Sequence, residues 1–146
     1  MTTYLLDVNV LIALSDPMHV HHDIAHTWFR DEGSNKWATC PITENGFVRV
    51  ASHPSYPNRP GDAMLVLALL RRFCASAGHE FWAEGVSIMN LLTPNFALTH
   101  KQVTDVYLLG LAVSNGGKLA TFDQRIPITA VSDAHHSLEL LSISSF

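Results

Sequence analysis

Two short apolar runs stand near opposite ends of the chain, and each stops at an acid: Tyr4-Leu5-Leu6-Asp7 and Leu119-Ala120-Thr121-Phe122-Asp123. Runs of this kind are compatible with strands buried on both faces, and in sheets of such strands ligands collect at the carboxyl ends. Asp7 leads into Val8-Asn9-Val10-Leu11-Ile12-Ala13-Leu14, which reads as the strand running on into a helix. Ser15-Asp16-Pro17 breaks that pattern. His19 to Arg30 resumes at helical spacing, with Ile24, Ala25, Trp28 and Phe29 on one apolar face, and Gly33-Ser34-Asn35 closes it.

The alternation continues along the chain. Lys36 to Cys40 predicts a second strand, and Pro41-Ile42-Thr43-Glu44 a helix start with Thr43 as its cap and Glu44 in its first turn. His53 to Gly61 holds three prolines and is expected to be a loop. Asp62 to Ala77 is apolar nearly all round before Arg71 and Arg72, so it is expected as a core helix ended by Gly78. A third strand over His79 to Ala83 and a short helix over Ser87 to Leu92 follow. Thr99 opens a helix to Ser114, stopped by Asn115-Gly116-Gly117. Lys118 to Phe122 predicts a strand that ends at Asp123, and Leu138 to Ile143 a last one. Strands alternating with helices in this way imply an α/β sandwich with a mostly parallel sheet. A length of 146 residues, 47% of them hydrophobic, suits a single domain over 1–146.

Thirteen acids against nine Lys and Arg give a net charge of −4, which argues against a protein held on nucleic acid by broad phosphate neutralisation. Acids gathered at one spot and loaded with divalent cations reverse the local sign. The longest apolar run, Ala63 to Leu70, is too short to span a bilayer, and the amino terminus lacks the basic start of a secretory signal, so a cytoplasmic protein is expected. Cys40 and Cys74 share no recognised metal-binding spacing and read as reduced core residues.

Asp7 and Asp123 sit where strands stop, while Glu44 and Asp105 sit early in helices that can begin near the same edge. Taken singly, each acid is well explained as a turn residue, a helix cap or a partner of the helix dipole. Their joint setting among polar neighbours points further: Asn9 stands two residues after Asp7, Thr104 directly before Asp105, and Thr121 two before Asp123.

At these residues the sequence resembles the PIN-domain family, and in particular the VapC toxins of bacterial toxin-antitoxin pairs. Tyr4 to Leu14 is similar to the family's opening motif, Thr43-Glu44-Asn45-Gly46-Phe47 to its second acid, Thr104-Asp105 with the helix to Ala112 to its third, and Leu119 to Asp123 to its fourth. The resemblance runs over essentially the whole chain in the right order. It implies a three-layer α/β/α sandwich and a metal-dependent endoribonuclease. Asp7, Asp105 and Asp123 would bind Mg²⁺ or Mn²⁺ directly or through water, Glu44 would complete the acidic pocket, and Asn9, Thr104 and Thr121 would be supporting polar residues. The products would carry a 5′-phosphate and a 3′-hydroxyl. The implied partners are an RNA substrate, a cognate antitoxin protein and a second copy of the chain, with no membrane. One departure is Val8, where many family members carry a hydroxyl.

The chemistry stands beside that resemblance. Mg²⁺ and Mn²⁺ prefer oxygen ligands and retain waters, so a carboxylate pocket suits them, whereas His and Cys suit Zn²⁺. Two rival readings remain at this point. A haloacid-dehalogenase-like phosphatase would use the opening Asp7-Val8-Asn9, with Asn9 where that family has a second Asp; a binding module would use the acids only in ion pairs. Among other signals, His22 and His26 are four apart, but no accompanying ligand pattern marks a zinc site, and His19, His21, His135 and His136 add no ligand geometry. Arg125, two residues past Asp123, is the base best placed for a phosphate contact. Trp28, Trp37, Trp82 and Tyr56 read as core aromatics before base-stacking ones.

Overall fold

The computed structural model describes residues 1–94 and 96–141. Its centre is a five-stranded sheet of β1 (Tyr4–Leu6), β2 (Trp37–Thr39), β3 (His79–Phe81), β4 (Lys118–Thr121) and β5 (Leu138–Leu140), ordered β3-β2-β1-β4-β5. Every pairing is parallel. Parallel strands need crossovers, which the helices α1 (Val8–Ser15), α2 (His22–Asp31), α3 (Pro41–Ala51), α4 (Ala63–Cys74) and α5 (Val103–Ser114) provide as far as β4, while a connection with a 3₁₀ turn over Ile128–Ala130 joins β4 to β5. The strand order reverses between β1 and β4, so the carboxyl ends of these two strands flank the topological switch point.

Strand alternation divides the core into two. Leu5, Ala38 and Leu119 point to the side of α5, where they meet Val106, Leu109 and Ala112. Tyr4, Leu6, Trp37 and Ala120 point to the other side, against Val10 and Leu11 of α1, Phe47 of α3 and Val66 of α4. This is the expected three-layer sandwich, and each layer boundary follows from the period-two pattern of strands that are buried on both faces.

Several local expectations are corrected. The first helical turn after the Pro17 break starts at His22 rather than His19. Thr43 is not the cap of α3: Cys40 holds that position, Pro41 takes the first helical place, and the Thr43 hydroxyl accepts the Cys40 N–H at 3.0 Å. The predicted helix over Ser87 to Leu92 contracts to a 3₁₀ turn over Ile88–Asn90. The helix from Thr99 begins as a 3₁₀ turn, with Thr99 N–H bonded to the Gln102 side chain, before α5 proper. α4 ends at Cys74 and is not a core helix: it buries Val66 and Leu70 while Met64, Leu65 and Leu69 stay exposed. Of the predicted last strand, Ser142 and Ile143 lie outside the described residues.

Trp37 and Trp82 are buried and Trp28 and Tyr56 half-buried, in keeping with core roles. Cys40 and Cys74 are free. His22 turns its Nδ1 to the Ala13 carbonyl at 2.7 Å, and among the described residues no trio of metal-ligating atoms includes it or His26. His135 and His136 are exposed.

Candidate active site

Asp7 follows the last residue of β1 and caps α1, so one side chain serves both a strand end and a helix start. Its Oδ1 accepts the Val8 N–H at 2.8 Å and its Oδ2 accepts the Thr121 hydroxyl at 2.8 Å. Thr121 ends β4 and is fully buried; its oxygen also accepts the Asn9 side-chain amide at 3.2 Å and the Asp123 N–H at 3.1 Å. Asn9 returns a second bond, accepting the Phe122 N–H at 3.3 Å. Asp7, Asn9, Thr121 and Asp123 thus form one hydrogen-bonded unit across the switch point.

Asp105 reaches the same place from the first turn of α5. Burial pushes its carboxyl up to about 7, and the charges of Asp7 and Asp123, together with a side-chain bond to Asp123, add to the shift. Asp7 is raised as well, first by burial, against the pull of its bonds to Thr121 and Val8, with Asp123 adding to the rise. Neither Asp7 nor Asp105 takes part in an ion pair among the described residues. Carboxylates crowded without a cation carry the electrostatic mark of a cation site. Oxygen-only donors fit magnesium or manganese, which keep several waters and so need no tight cage of protein ligands.

Asp123 accepts the Arg125 backbone N–H at 2.9 Å and pairs with its guanidinium at 3.7 Å. The Arg125 side chain is 93% exposed and borders an open hollow with Asn9, Phe122 and Gln124, so its pairing with Asp123 is weak and breakable. Thr104 is exposed and borders a different groove, with Val8, Asn45, Gly46 and Arg49.

Glu44, expected to complete the acidic pocket, has its own set of neighbours. Its carboxylate accepts the Thr39 hydroxyl at 2.7 Å and gathers with Cys74 and His79, on the α4 side of the sheet. Gly46 faces α1 so closely that an added Cβ would lie 2.8 Å from Val8 Cγ2, and this turns Asn45 and Arg49 toward the groove beside Thr104. Asn45 and Arg49 went unassigned in the sequence reading; their spacing of four, one helical turn around Gly46, was the signal. Cys74 and His79 were missed as a pair because they sit in different elements and meet only through the turn at Gly78.

The PIN domain profile matches residues 4–132. Ribonuclease VapC44 of Mycobacterium tuberculosis is 48% identical over 132 residues, covering 89% of this chain and 92% of the relative. Ribonuclease VapC38 of the same organism is 42% identical over 142 residues, covering 95% and 98%. Among solved structures, VapBC2 from Rickettsia felis, bound to a DNA fragment from its promoter, superposes with a TM-score of 0.61 at 15% identity over 96% of this chain and 99% of that one. The sarcin-ricin loop cleaving toxin VapC20 of Mycobacterium tuberculosis also gives 0.61, at 8% identity over 84% and 92%. These two likenesses speak to the fold alone.

Proposed function

The chain belongs to the PIN-domain family, among its VapC ribonucleases, and on that premise we propose that it cuts RNA phosphodiester bonds with Asp7, Asp105 and Asp123 as ligands of Mg²⁺ or Mn²⁺. The observation that supports the site assignment is the approach of Asp7 and Asp123 to Asp105, with burial and those two charges raising the Asp105 carboxyl to about 7. When bound there, a divalent cation lowers the pKa of a water and offsets the charge that grows on phosphate oxygens. The chain's own residues do the rest. Thr121 and the Val8 amide hold Asp7 in one orientation. Asn9 ties the Phe122 backbone, and with it the Asp123 loop, to α1. For a cation to bind, Asp105 would have to release its proton to solvent. Arg125, exposed at the rim, is free to exchange Asp123 for an RNA phosphate. Thr104 borders the adjoining groove, where Arg49 provides a second positive charge for the strand.

Glu44 is not among the proposed metal ligands; its carboxylate accepts the Thr39 hydroxyl and gathers with Cys74 and His79. The phosphatase reading lacks its second carboxylate, because Asn9 stands where that family has an Asp and its side chain is tied to Thr121 and the Phe122 backbone. The ion-pair reading lacks partners for Asp7 and Asp105 among the described residues. We read residues 1–146 as one PIN unit acting in the cytoplasm as a toxin. Its partners would be an antitoxin, as the VapBC2 assembly suggests by analogy, and a second copy of the chain. The exposed apolar residues Met64, Leu65 and Leu69 of α4 offer surface for such contacts.

The test is cleavage of end-labelled RNA by the purified chain with Mg²⁺ or Mn²⁺, with EDTA, and with Asp7→Asn or Asp105→Asn. Metal-dependent products bearing a 5′-phosphate, lost in both variants, are expected. Cleavage that survives both substitutions in a folded protein would remove the aspartates from the mechanism.

A further inference from the structure

We propose a second metal site, chemically unlike the first, in which Glu44, Cys74 and His79 bind a zinc ion where α3, α4 and β3 meet. A carboxylate oxygen, the Cys74 Sγ and an imidazole nitrogen lie within 4.8 Å of one another, and all three residues are half-buried, so an ion can enter. Bonds of about 2.0 to 2.3 Å at the tetrahedral angle put ligands roughly 3.5 Å apart, which leaves only about 1 Å of closure to side-chain rotation. A thiolate and an imidazole select zinc over magnesium, the reverse of the preference of the aspartate pocket.

The backbone around the cluster is built to hold it. Cys74 ends α4 and His79 opens β3, and the turn between them contains Gly78 at φ 90°. An added Cβ at Gly78 would fall 2.4 Å from the Ser34 carbonyl oxygen, so the turn admits no bulkier residue and the separation of the two ligands is set. The His79 ring lies 4.5 Å from that of Trp37, which is fully buried and fixes its orientation.

Thr39 shows what the cluster lacks. Its hydroxyl donates to Glu44 Oε2 at 2.7 Å and lies 2.7 Å from His79 Nε2, while the Cys74 thiol touches it too. The Cys74 carbonyl is also within reach of the His79 ring. In the tautomer that puts its N–H on that carbonyl, Nε2 is a bare acceptor and competes with Glu44 for the single proton of Thr39. A cation satisfies both, and a ligating His whose other nitrogen donates to a backbone carbonyl is the usual arrangement around zinc.

The site is independent of the nuclease reading, and one set of measurements separates them. The full chain, stripped with EDTA, is titrated with Co²⁺ as a spectroscopic stand-in and then with Zn²⁺. A sulfur-to-cobalt charge-transfer band and tetrahedral visible bands that zinc abolishes at one equivalent are expected. Cys74→Ser and His79→Ala should each weaken zinc binding by more than about tenfold, since loss of a ligand costs more than loss of its supporting shell. Cys74→Ser should keep Mg²⁺-dependent RNA cleavage. The Asp7→Asn/Asp105→Asn pair should do the opposite, retaining zinc and losing cleavage. Absence of the sulfur band in the unsubstituted protein, a result that no folding defect can imitate, overturns the proposal. So does zinc binding that is lost with the aspartates and kept without Cys74.

Discussion

Thr121 donates its hydroxyl to Asp7 Oδ2 across 2.8 Å, joining the ends of the two strands between which the sheet order reverses. That one oxygen also receives the Asn9 amide and the Asp123 N–H. Replacing it with the nearly isosteric valine leaves those donors unpaired and removes a bond that favours the charged form of Asp7. Thr121→Val should lower RNA cleavage at neutral pH about tenfold, the kinetic equivalent of a charge-assisted hydrogen bond of about 1.5 kcal/mol. The acidic limb of the pH–rate profile should move upward, and Thr121→Ser should restore both rate and limb. An unchanged profile in Thr121→Val would mean that the hydroxyl serves packing alone.

Asp105 gives the metal-free protein a defined pH dependence. Its folded-state value is raised from an ordinary 3.8 to about 7, so the folded form holds the proton more tightly than the unfolded one. The resulting stability is fully present below about pH 4 and is lost as the pH rises through about 7. In EDTA, thermal melts of the unsubstituted chain should therefore fall over that window through this group. Asp105→Asn should flatten the slope and melt higher at about pH 8, where the ionised carboxyls repel. Added Mg²⁺ should raise the melting temperature of the unsubstituted chain at pH 8 and do little for Asp105→Asn. An equal slope in the two proteins would relieve Asp105 of this role.

The strands and the three aspartates were legible because each signal is local: a short apolar run, its polar stop, and a helix start near the same sheet edge. The direction in which Glu44 turns was not, because the question there is rotation. Glu44 and Asn45 are one residue apart, yet one contacts the Thr39 hydroxyl and the other borders the groove beside Val8. A turn of about 100° per residue decides between them, and what sets it is the contact between Gly46 and Val8. The α4 helix misled for another reason. An apolar surface all round is equally the pattern of a helix enclosed by its own fold and of one that leaves a face uncovered, and only the layer arrangement distinguishes the two.

The Gly46–Val8 contact makes its own prediction. A methyl at position 46 gains helix propensity of up to about 1 kcal/mol but meets a stiff β-branched neighbour, so the gain is offset by a strain of about 1 to 3 kcal/mol. Gly46→Ala should push α1 away from α3 and disturb Asp7 at its amino end, lowering cleavage more than stability. Val8→Ala added to Gly46→Ala should recover activity, because it removes the methyl that clashes. Failure of the double variant to improve on Gly46→Ala, measured by rate and by urea midpoint, would show that the lost activity does not come from this contact.

The two faces of α4 should answer differently to substitution. Leu70 is 5% exposed and packs with Val66 in the core shared with α1 and α3, so Leu70→Ala should cost about 2 to 5 kcal/mol. Met64 is 68% exposed, and Met64→Gln should change the urea midpoint by no more than the equivalent of about 0.5 kcal/mol. If this face is where copies of the chain meet, Met64→Gln together with Leu65→Gln should shift light scattering or sedimentation toward monomer with the fold intact. A dimer that survives both changes would move the contact elsewhere. A large loss of stability from Met64→Gln alone would mean instead that the helix is more enclosed than its exposed methionine shows.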